Sequence, residues 1–396
     1  MKIKFLALLL LVQTAVAQPK IANTPQLSPR AEISVVTLGP WQGELYSAFG
    51  HSAFRVYDPE KNIDAFLNYG VFSFNQPNFY LNFARGHLNY RLDVDQYAPY
   101  RDYYISENRF VHEQILNLTD EQTQRVFDYL YWNMQPENQY YMYDYFYNNC
   151  ATKLRDVIKL TLQDEVNFDT TFIKTDYSIR QLTDLYLKYQ PWGDLGIDIC
   201  LGLPMDKHAS PYEYMFLPDY IEQSFNHATV RHDSVVAPLV KTTVSVYESR
   251  PEDPPKSLFH PWVVFGLLLL MTVAITWNDI RKQKKSKWFD AIIFSVVGTV
   301  GLLLFLLWTA TDHRAAARNL NVLWAMPLHL LFVPLYLMSK KIATTYFKGI
   351  AILNLLLLLA WAFLPQQLNV FLIPVVIALG IRAWYIGYGT SWRLKL

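Results

Sequence analysis

Apolar residues follow two different patterns in the two parts of this 396-residue chain. Before about position 250 they form short runs or alternate with polar and aromatic residues, which is typical of strands and short helices. Beyond position 258 they form long, nearly uninterrupted stretches. The polar, Pro-containing segment between the two parts predicts a stiff linker. We therefore predict a folded domain over residues 18–234, a linker over 235–257 and a membrane domain over 258–396.

The N-terminus has the layout of a secretory signal peptide over residues 1–17. Two lysines precede a short apolar core, and Ala15-Val16-Ala17 provides small residues for cleavage ahead of Gln18. The apolar core is too short to span a bilayer comfortably. No cysteine follows the cleavage site, so the chain is not expected to be a lipoprotein itself. Export predicts that the folded domain lies outside the cell's cytoplasm.

Five apolar stretches of the membrane domain are near the length that a helix needs to cross about 30 Å of hydrocarbon. They cover residues 258–277, 289–310, 321–338, 349–364 and 369–388. Lysines and arginines cluster after the first stretch, after the third and at the C-terminus. Positively charged loops stay in the cytoplasm, so these three segments are predicted to be cytoplasmic. Loop charge and signal peptide thus predict the same arrangement, a multi-pass protein of the cytoplasmic (inner) membrane with a periplasmic N-terminal domain.

A β-hairpin is predicted inside the folded domain. Residues 51–58 and 63–72 alternate as strands do, and the four residues between them include a proline and an asparagine that favour a turn. This turn places His51 opposite Gly70, on a strand that also carries Asn68. Asn68 would then stand beside the imidazole of His51 and could hold it in one tautomer.

Aromatic residues are dense between positions 72 and 92, and residues 78–88 have a helical apolar face that ends at Gly86. One interpretation is a core-packing helix with its loop. The other is a flap that receives acyl chains or rests on the bilayer surface, with Arg85 and Arg91 near a phosphate. The pattern alone supports both interpretations.

The motif Asn148-Asn149-Cys150-Ala151-Thr152 precedes a segment with apolar residues at helical spacing. Asn149 is a favourable N-cap, which predicts that Cys150 lies in the first turn of a helix. The positive end of a helix dipole lowers the pKa of a thiol there and increases its thiolate fraction near neutral pH. The sequence therefore predicts a nucleophilic thiol at Cys150.

His51 is the candidate base for this thiol. In such a site His51 would take the thiol proton, Cys150 would attack an ester or amide carbonyl, and the thioester would pass its acyl group to water or an amine. Backbone N–H groups at the helix start would meet the oxyanion. A histidine on a strand followed by a cysteine at a later helix start is the order of a circularly permuted papain-like fold. The alternative is a structural disulfide between Cys150 and Cys200, which an oxidising compartment would allow.

Composition limits the other partners. The net charge is +1, and no basic patch is interleaved with base-stacking aromatics outside the membrane-flanking loops, so nucleic acid is not expected as a partner. His208, His227 and His232 have no Cys or carboxylate at a recognised metal-ligand spacing. Neither a metal nor another cofactor is predicted.

The loop between the second and third apolar stretches, 311–321, contains His313, Arg314 and Arg318. It is either a short solvated turn with arginines at headgroup level or a clamp in which Arg314 and Arg318 grip a phosphate beneath the folded domain.

Five blocks of the folded domain resemble the periplasmic domain of Lnb-type proteins. They are residues 50–56 (GHSAFRV), 68–72 (NYGVF), 82–86 (NFARG), 88–90 (LNY) and 148–152 (NNCAT). The five-span tail, with Thr311-x-His313 and Asn319-Leu320-Asn321, resembles the membrane region that accompanies that domain. The resemblance covers nearly the whole mature chain.

The resemblance implies an α+β fold, with a circularly permuted papain-like extracytoplasmic domain similar to NlpC-type peptidases and lecithin:retinol acyltransferase. An all-α five-helix transmembrane domain would follow. Lnb proteins are lipoprotein intramolecular acyltransferases, which shift an acyl chain from the glyceryl group of the lipid-modified cysteine to the α-amine of that cysteine. By this match Cys150 is the expected nucleophile and His51 the expected base. Asn68 as the third catalytic residue rests on the hairpin alone.

A diacylated lipoprotein is the implied substrate, and membrane phospholipid is a further partner. The substrate-binding candidates are motif residues and residues of the outer loop, namely Tyr69, Arg85, Asn149, His313 and Arg314. Two other functions stay open: a cell-wall or peptide amidase or peptidase that uses the same Cys/His pair, and a membrane scaffold in which Cys150 is structural.

Overall fold

The computed structural model describes residues 24–251 and 259–389, and the predicted signal peptide lies outside these ranges. The strands in the described residues are β1 (Glu32–Leu38), β2 (His51–Asp58), β3 (Ile63–Val71), β4 (Asn89–Gln96), β5 (Val111–Leu116), β6 (Tyr140–Met142), β7 (Val166–Asn167), β8 (Thr229–His232), β9 (Val235–Pro238) and β10 (Val240–Tyr247). The helices of the first range are α1 (Phe79–Arg85), α2 (Tyr97–Ser106), α3 (Asp120–Asn133), α4 (Cys150–Leu162), α5 (Ile179–Leu187), α6 (Pro191–Cys200) and α7 (Pro218–His227). Those of the second range are α8 (Pro261–Arg281), α9 (Lys287–Thr309), α10 (His329–Leu337), α11 (Lys341–Ala360) and α12 (Ile373–Tyr388).

Seven strands form one antiparallel sheet in the order β10-β5-β1-β2-β3-β4-β6, and a second sheet has the order β7-β8-β9. Strands β1 to β4 follow each other in the sheet because short connections favour antiparallel neighbours. Helix α4 packs across β2 and β3. Its buried Leu154 and Ile158 belong to the same apolar cluster as Phe54 and Tyr69 of the two strands. This packing brings the start of α4 to the β2–β3 hairpin.

The linker predicted at residues 235–257 is wrong in its first half, because this part is strand. β9 pairs with β8, and β10 pairs with β5 at one edge of the large sheet. The β-branched valines and threonines of β10 suit a strand, but most of its side chains are exposed. An edge strand that is exposed in this way has the composition of a polar linker, which explains the error. The folded domain therefore continues through Tyr247, and residues 252–258 lie outside the described ranges.

Four helices among the described residues are long and apolar enough to cross a membrane, namely Pro261–Arg281, Lys287–Thr309, Lys341–Phe363 and Val370–Tyr388. The third predicted span, 321–338, is not one of them. It begins in a 3-10 turn and ends in α10, whose nine residues extend only about 14 Å. Pro334 lies inside α10, where it removes a backbone donor. The predicted count of five spanning helices is not confirmed.

The irregular segment before α10 is packed tightly against α9. A Cβ atom on Gly301 of α9 would lie only 1.6 Å from the carbonyl oxygen of Ala325, so glycine is required for this approach. At the far end of α10, Lys287 Nζ donates to the carbonyl oxygen of Leu337 at 3.1 Å. The segment thus runs antiparallel along α9 and packs against it.

A buried polar network holds the folded domain on the helical region. Asn319 Nδ2 donates to the carbonyl oxygen of Ile199 at 2.7 Å. Arg180, which is fully buried, donates to the Asp198 carboxylate at 2.7 Å, and the same carboxylate accepts from Asn369 Nδ2 at 2.9 Å. Buried polar groups are stable only when they are paired in this way. These bonds fix the folded domain against the loops that join the membrane helices.

Candidate active site

His51 and Asn68 come together through the pairing of β2 with β3. Phe54 lies opposite Leu67, and the same register continued along the hairpin places His51 opposite Gly70, as the sequence predicts. His51 Nε2 is 2.6 Å from Asn68 Oδ1. The Asn68 amide in turn donates to the Tyr100 hydroxyl at 2.7 Å, which fixes the orientation of the amide. His51 Nε2 therefore carries the proton that bonds Asn68, and Nδ1 is left to face the thiol.

Cys150 is the first residue of α4, as predicted, because Asn149 caps this helix. Asn149 Oδ1 accepts from the N–H of Thr152 at 2.9 Å, and the Asn149 N–H donates to Thr152 Oγ1 at 2.8 Å. This reciprocal arrangement is a capping box. The Cys150 sulfur consequently lies at the positive end of a helix of 13 residues.

The Cys150 thiol and the His51 imidazole are hydrogen-bonded neighbours. Burial opposes the charged form of both groups, but each is favoured by the opposite charge of its partner and by their hydrogen bond. The net result is that the pKa of Cys150 is lowered and the pKa of His51 is raised. The backbone N–H groups of Ser52 and Ala151 also donate to the sulfur and lower the pKa of Cys150 further. Both shifts favour the form in which Cys150 is a thiolate and His51 is an imidazolium.

Tyr141 of β6 is a neighbour of this thiol that sequence reasoning missed. A Cβ atom on Gly70 would lie 3.9 Å from the Tyr141 hydroxyl oxygen and 4.0 Å from the Cβ of Cys150, so both border the space beside Gly70. The hydroxyl is buried, and its proton has no acceptor among the described residues. Burial raises the pKa of Tyr141 well above its ordinary value, so the proton is retained. Tyr141 is therefore a free hydrogen-bond donor beside the nucleophile.

Gly70 keeps this space open. Its φ angle is +93°, in the left-handed region that favours glycine. A side chain here would be strained by this φ angle, although its Cβ atom would lie at an ordinary van der Waals distance, 3.4 Å, from the ring of Tyr143.

Two of the substrate-binding candidates are structural. Tyr69 is fully buried, and its hydroxyl donates to Asn133 Oδ1 at 2.6 Å. Asn149 is buried as the cap of α4, and its amide nitrogen donates to the carbonyl oxygens of Tyr145 and Phe216. The polar atoms of both side chains are occupied by hydrogen bonds within the fold, and their role in binding substrate stays a prediction.

The other candidates lie where α1 meets the outer loop. The N–H of Asp312 donates to the carbonyl oxygen of Arg85 at 2.9 Å, and His313 Nε2 is 3.0 Å from the carbonyl oxygen of Phe83. The side chains of Arg85 and Arg314 are exposed there. The neighbours of Cys150, in contrast, come from β2, β3 and β6. The structure therefore divides the predicted site into a thiol centre and a cationic contact region.

The disulfide alternative is not realised, because Cys150 and Cys200 are both free thiols. Cys200 ends α6 and is exposed.

Three acidic side chains, those of Asp184, Asp194 and Asp198, lie near the docking network with oxygen atoms within 4.8 Å of one another. Burial, together with the negative charge of Asp198, raises the pKa of Asp184 to about 8 and that of Asp194 to about 6. Carboxylates at this spacing suit a divalent cation by their chemistry. Protonation of Asp184 also relieves the repulsion between the three carboxylates, and it needs no cation.

Replacing Asp184 by asparagine should stabilise the protein at pH 8 much more than at pH 4. The folded-state pKa of about 8 lies above the ordinary Asp value near 4, so ionisation in this window destabilises the folded chain. The gain should amount to several °C, at about 2–4 °C per kcal/mol. Thermal unfolding of the full chain in detergent at both pH values measures it. The exposed Asp164→Asn serves as control, and an equal shift at both pH values would contradict the assignment.

Two family models match the chain. The model of the Lnb N-terminal periplasmic domain matches residues 20–184, and the model of the Lnb transmembrane domain matches residues 253–391. Together they account for most of the sequence. The chain belongs to the Lnb family. No curated protein and no solved structure matches it.

Membership of the Lnb family suggests a membrane-associated role in lipoprotein processing, with the N-terminal domain outside. The match to the Lnb periplasmic domain includes the thiol centre with His51, Tyr141 and Cys150. The match to the Lnb transmembrane domain includes the outer loop with His313 and Arg314. Both parts of the divided site therefore lie within the regions that define the family.

Proposed function

We propose that this protein is a membrane-anchored thiol acyltransferase that moves an acyl chain onto the N-terminal amine of a lipoprotein. The observation that carries the proposal is the charge-paired Cys150–His51 centre, held on a domain that docks directly on membrane helices. A thiolate beside an imidazolium suits acyl transfer. When the acyl donor and the acceptor are both anchored in a bilayer, an enzyme at the bilayer surface can reach both. The protein would work at the outer face of the cytoplasmic membrane.

The chain would cross that membrane five times in this proposal, and the third crossing would be the irregular segment with α10. Asn319 at one end of this segment lies beside the folded domain, and Ser339 at the other end accepts a hydrogen bond from Lys287 at the start of α9. The order of His51 on β2 and Cys150 on a later helix also supports a circularly permuted papain-like fold for the periplasmic domain.

The reaction would have two acyl-transfer steps. In the first, the Cys150 thiolate attacks the carbonyl carbon of an O-acyl ester, the ester C–O bond breaks, and the leaving alkoxide takes a proton from the His51 imidazolium. In the second, the α-amine attacks the thioester carbonyl, the C–S bond breaks, and His51 takes the proton released from the amine. The products are an amide, a free hydroxyl on the glyceryl group and the regenerated Cys150–His51 pair.

Tyr141 would stabilise the oxyanion that forms in both steps. Its hydroxyl borders the space beside Gly70 that an acyl group on Cys150 would enter, and its proton has no other acceptor in the described residues. A donor that is already in place needs no reorganisation when charge develops on the carbonyl oxygen. Asn68 would act as a positioning residue for His51, and Tyr100 would position Asn68.

Replacing Tyr141 by phenylalanine should lower kcat about 10²–10³-fold, the usual cost of one oxyanion donor, with little change in KM. Alkylation of Cys150 by iodoacetamide should keep its rate, because that reaction forms no oxyanion. Tyr131→Phe, which removes a partly buried hydroxyl from α3, is the matched control and should change neither rate. Unchanged acyl transfer in Tyr141→Phe would exclude the oxyanion role.

Mass spectrometry of the N-terminal peptide of a diacylated lipoprotein tests the proposed function. Incubation with the full-length protein in bilayer nanodiscs should move one acyl chain from oxygen to the α-amine, without a change in the mass of the peptide. Incubation with Cys150→Ala should leave the peptide unchanged. A peptide that loses a chain and keeps a free amine would instead indicate hydrolysis, and cleavage of a peptide bond would indicate a peptidase.

A further inference from the structure

An exposed apolar surface surrounds α1. This aromatic patch consists of Phe72, Phe74, Tyr80, Leu81 and Phe83, and Tyr80 is 77% exposed. Large apolar side chains that are grouped and exposed in this way mark a binding surface.

The position of α1 indicates which molecule covers the aromatic patch. The end of α1 is bonded to the loop that directly follows α9, through Asp312 to the carbonyl oxygen of Arg85 and through a 2.7 Å contact between His87 Nε2 and Asp312 Oδ2. The last turns of α9 expose Phe305 and Trp308. The aromatic patch therefore belongs to a helix that is bonded to the loop at the end of a candidate membrane-spanning helix. Lipid is the neighbour that such a surface meets.

A line of rings connects the patch to the nucleophile. The ring centroids of Phe74 and Phe72 are 5.1 Å apart, those of Phe72 and Tyr90 are 4.9 Å apart, and those of Tyr90 and Tyr143 are 4.6 Å apart. Tyr143 ends this aromatic track beside Gly70, where an added Cβ atom would be 3.4 Å from the Tyr143 ring and 4.0 Å from the Cβ of Cys150. The track thus begins at the exposed aromatic patch, passes through the buried ring of Tyr90 and ends near Cys150.

We propose that the aromatic track (Phe74, Phe72, Tyr90 and Tyr143) binds the acyl chain of a bilayer-anchored lipid and delivers its ester carbonyl to Cys150. This inference rests on the proposed function and adds the binding site for the acyl chain. A chain that leaves the outer leaflet at the patch would stay in contact with apolar rings along the whole route, so it would not be exposed to water. The exposed Arg85, at the end of α1, is placed to meet a lipid headgroup while the chain lies on the rings.

Acylation by esters of different chain length tests the track. The full-length protein in phosphatidylcholine nanodiscs is mixed with p-nitrophenyl acetate or p-nitrophenyl palmitate, and the p-nitrophenolate burst and the mass of the protein are measured. We expect palmitate to acylate Cys150 at least about tenfold faster than acetate. Phe72→Ala and Phe74→Ala should lower the palmitate rate at least about tenfold and change the acetate rate less than about twofold. Both side chains are exposed, so these variants should fold.

Tyr189→Ala, which removes an exposed aromatic ring after α5, is the matched control and should change neither rate. Equal palmitate and acetate rates in the wild type, or an equal loss of both rates in the Phe72 and Phe74 variants, would overturn the track and leave the thiol chemistry intact. Failure of both esters to acylate Cys150 in the wild type would overturn the proposed function and this inference with it.

A crosslinking experiment identifies the source of the chain. A phospholipid with a diazirine in its acyl chain is placed in the nanodisc in one arm, and a diacylated lipopeptide with the same group is used in the other. Irradiation should link the chain to peptides that contain residues 72–83 in at least one arm, and the arm identifies the lipid. Absence of these crosslinks in both arms would overturn the proposal.

Discussion

Cys150→Ala should abolish acyl transfer and leave the fold intact. The sulfur is the atom that would hold the acyl group, so its loss should lower the rate by about 10⁴-fold or more. The substitution removes only the sulfur atom and leaves a small cavity, so the melting temperature should change by only a few °C. Initial rates of amide formation on a diacylated lipopeptide and thermal unfolding of the same sample measure both effects.

Cys200→Ala is the matched control, because it removes the other free thiol. It should keep wild-type rates and a wild-type melting temperature. Collapse of folding in Cys150→Ala would indicate a structural role for the thiol. Wild-type transfer by the same variant would rule out the thiol mechanism.

His51→Gln should lower acyl transfer about 10²–10⁴-fold, the usual range for a general acid–base group, and should also change the pH dependence of the thiol. In the wild type the imidazolium holds the pKa of Cys150 below its ordinary value, despite burial. Without the imidazolium, burial remains and raises the pKa of the thiol. Alkylation of Cys150 by iodoacetamide at pH 7 should then slow at least about tenfold, because each pKa unit changes the thiolate fraction about tenfold.

The rate of alkylation as a function of pH separates these effects. The midpoint for Cys150 should move to higher pH in His51→Gln. His112→Gln is the control, since His112 lies between Glu222 and Glu248 on another strand, and it should leave the midpoint unchanged. A midpoint that stays in place in His51→Gln would show that the imidazole does not act on the thiol.

The parts of the site that local sequence specifies were predictable. The turn between β2 and β3 sets the register, and this register brings Asn68 to His51. The capping residue Asn149 sets the start of α4, and with it the position of Cys150. Each of these features depends on residues close together in the chain, where turn and cap preferences are strong.

Tyr141 and Tyr100 could not be selected from the sequence. Tyr141 reaches the thiol only because β6 pairs with β4, about fifty residues earlier in the chain. It also lies in a run with many tyrosines, so composition does not distinguish the tyrosine that reaches the thiol. Tyr100 acts on Asn68 from α2, and no local pattern connects the two. Long-range sheet pairing selects these residues.

Two segments differ from the elements that the sequence predicts, and the causes are related. The strand β10 is polar on its exposed side, so its sequence predicts a linker. The segment before α10 is apolar enough for a spanning helix, but it is folded as irregular backbone against Gly301. In both segments a tertiary neighbour decides the structure, namely β5 in the first and α9 in the second. Average hydropathy contains no information about such neighbours.

The most direct test of the account is to trap the acyl chain on the enzyme. The full-length protein in nanodiscs is incubated briefly with a diacylated lipopeptide that lacks a free α-amine, quenched in acid and digested for mass spectrometry. We predict one acyl chain on the peptide that contains Cys150, in a bond that neutral hydroxylamine cleaves, and no such adduct in Cys150→Ala. Acyl transfer to an amine-bearing lipopeptide without any adduct at Cys150, or with the chain on another residue, would contradict the account.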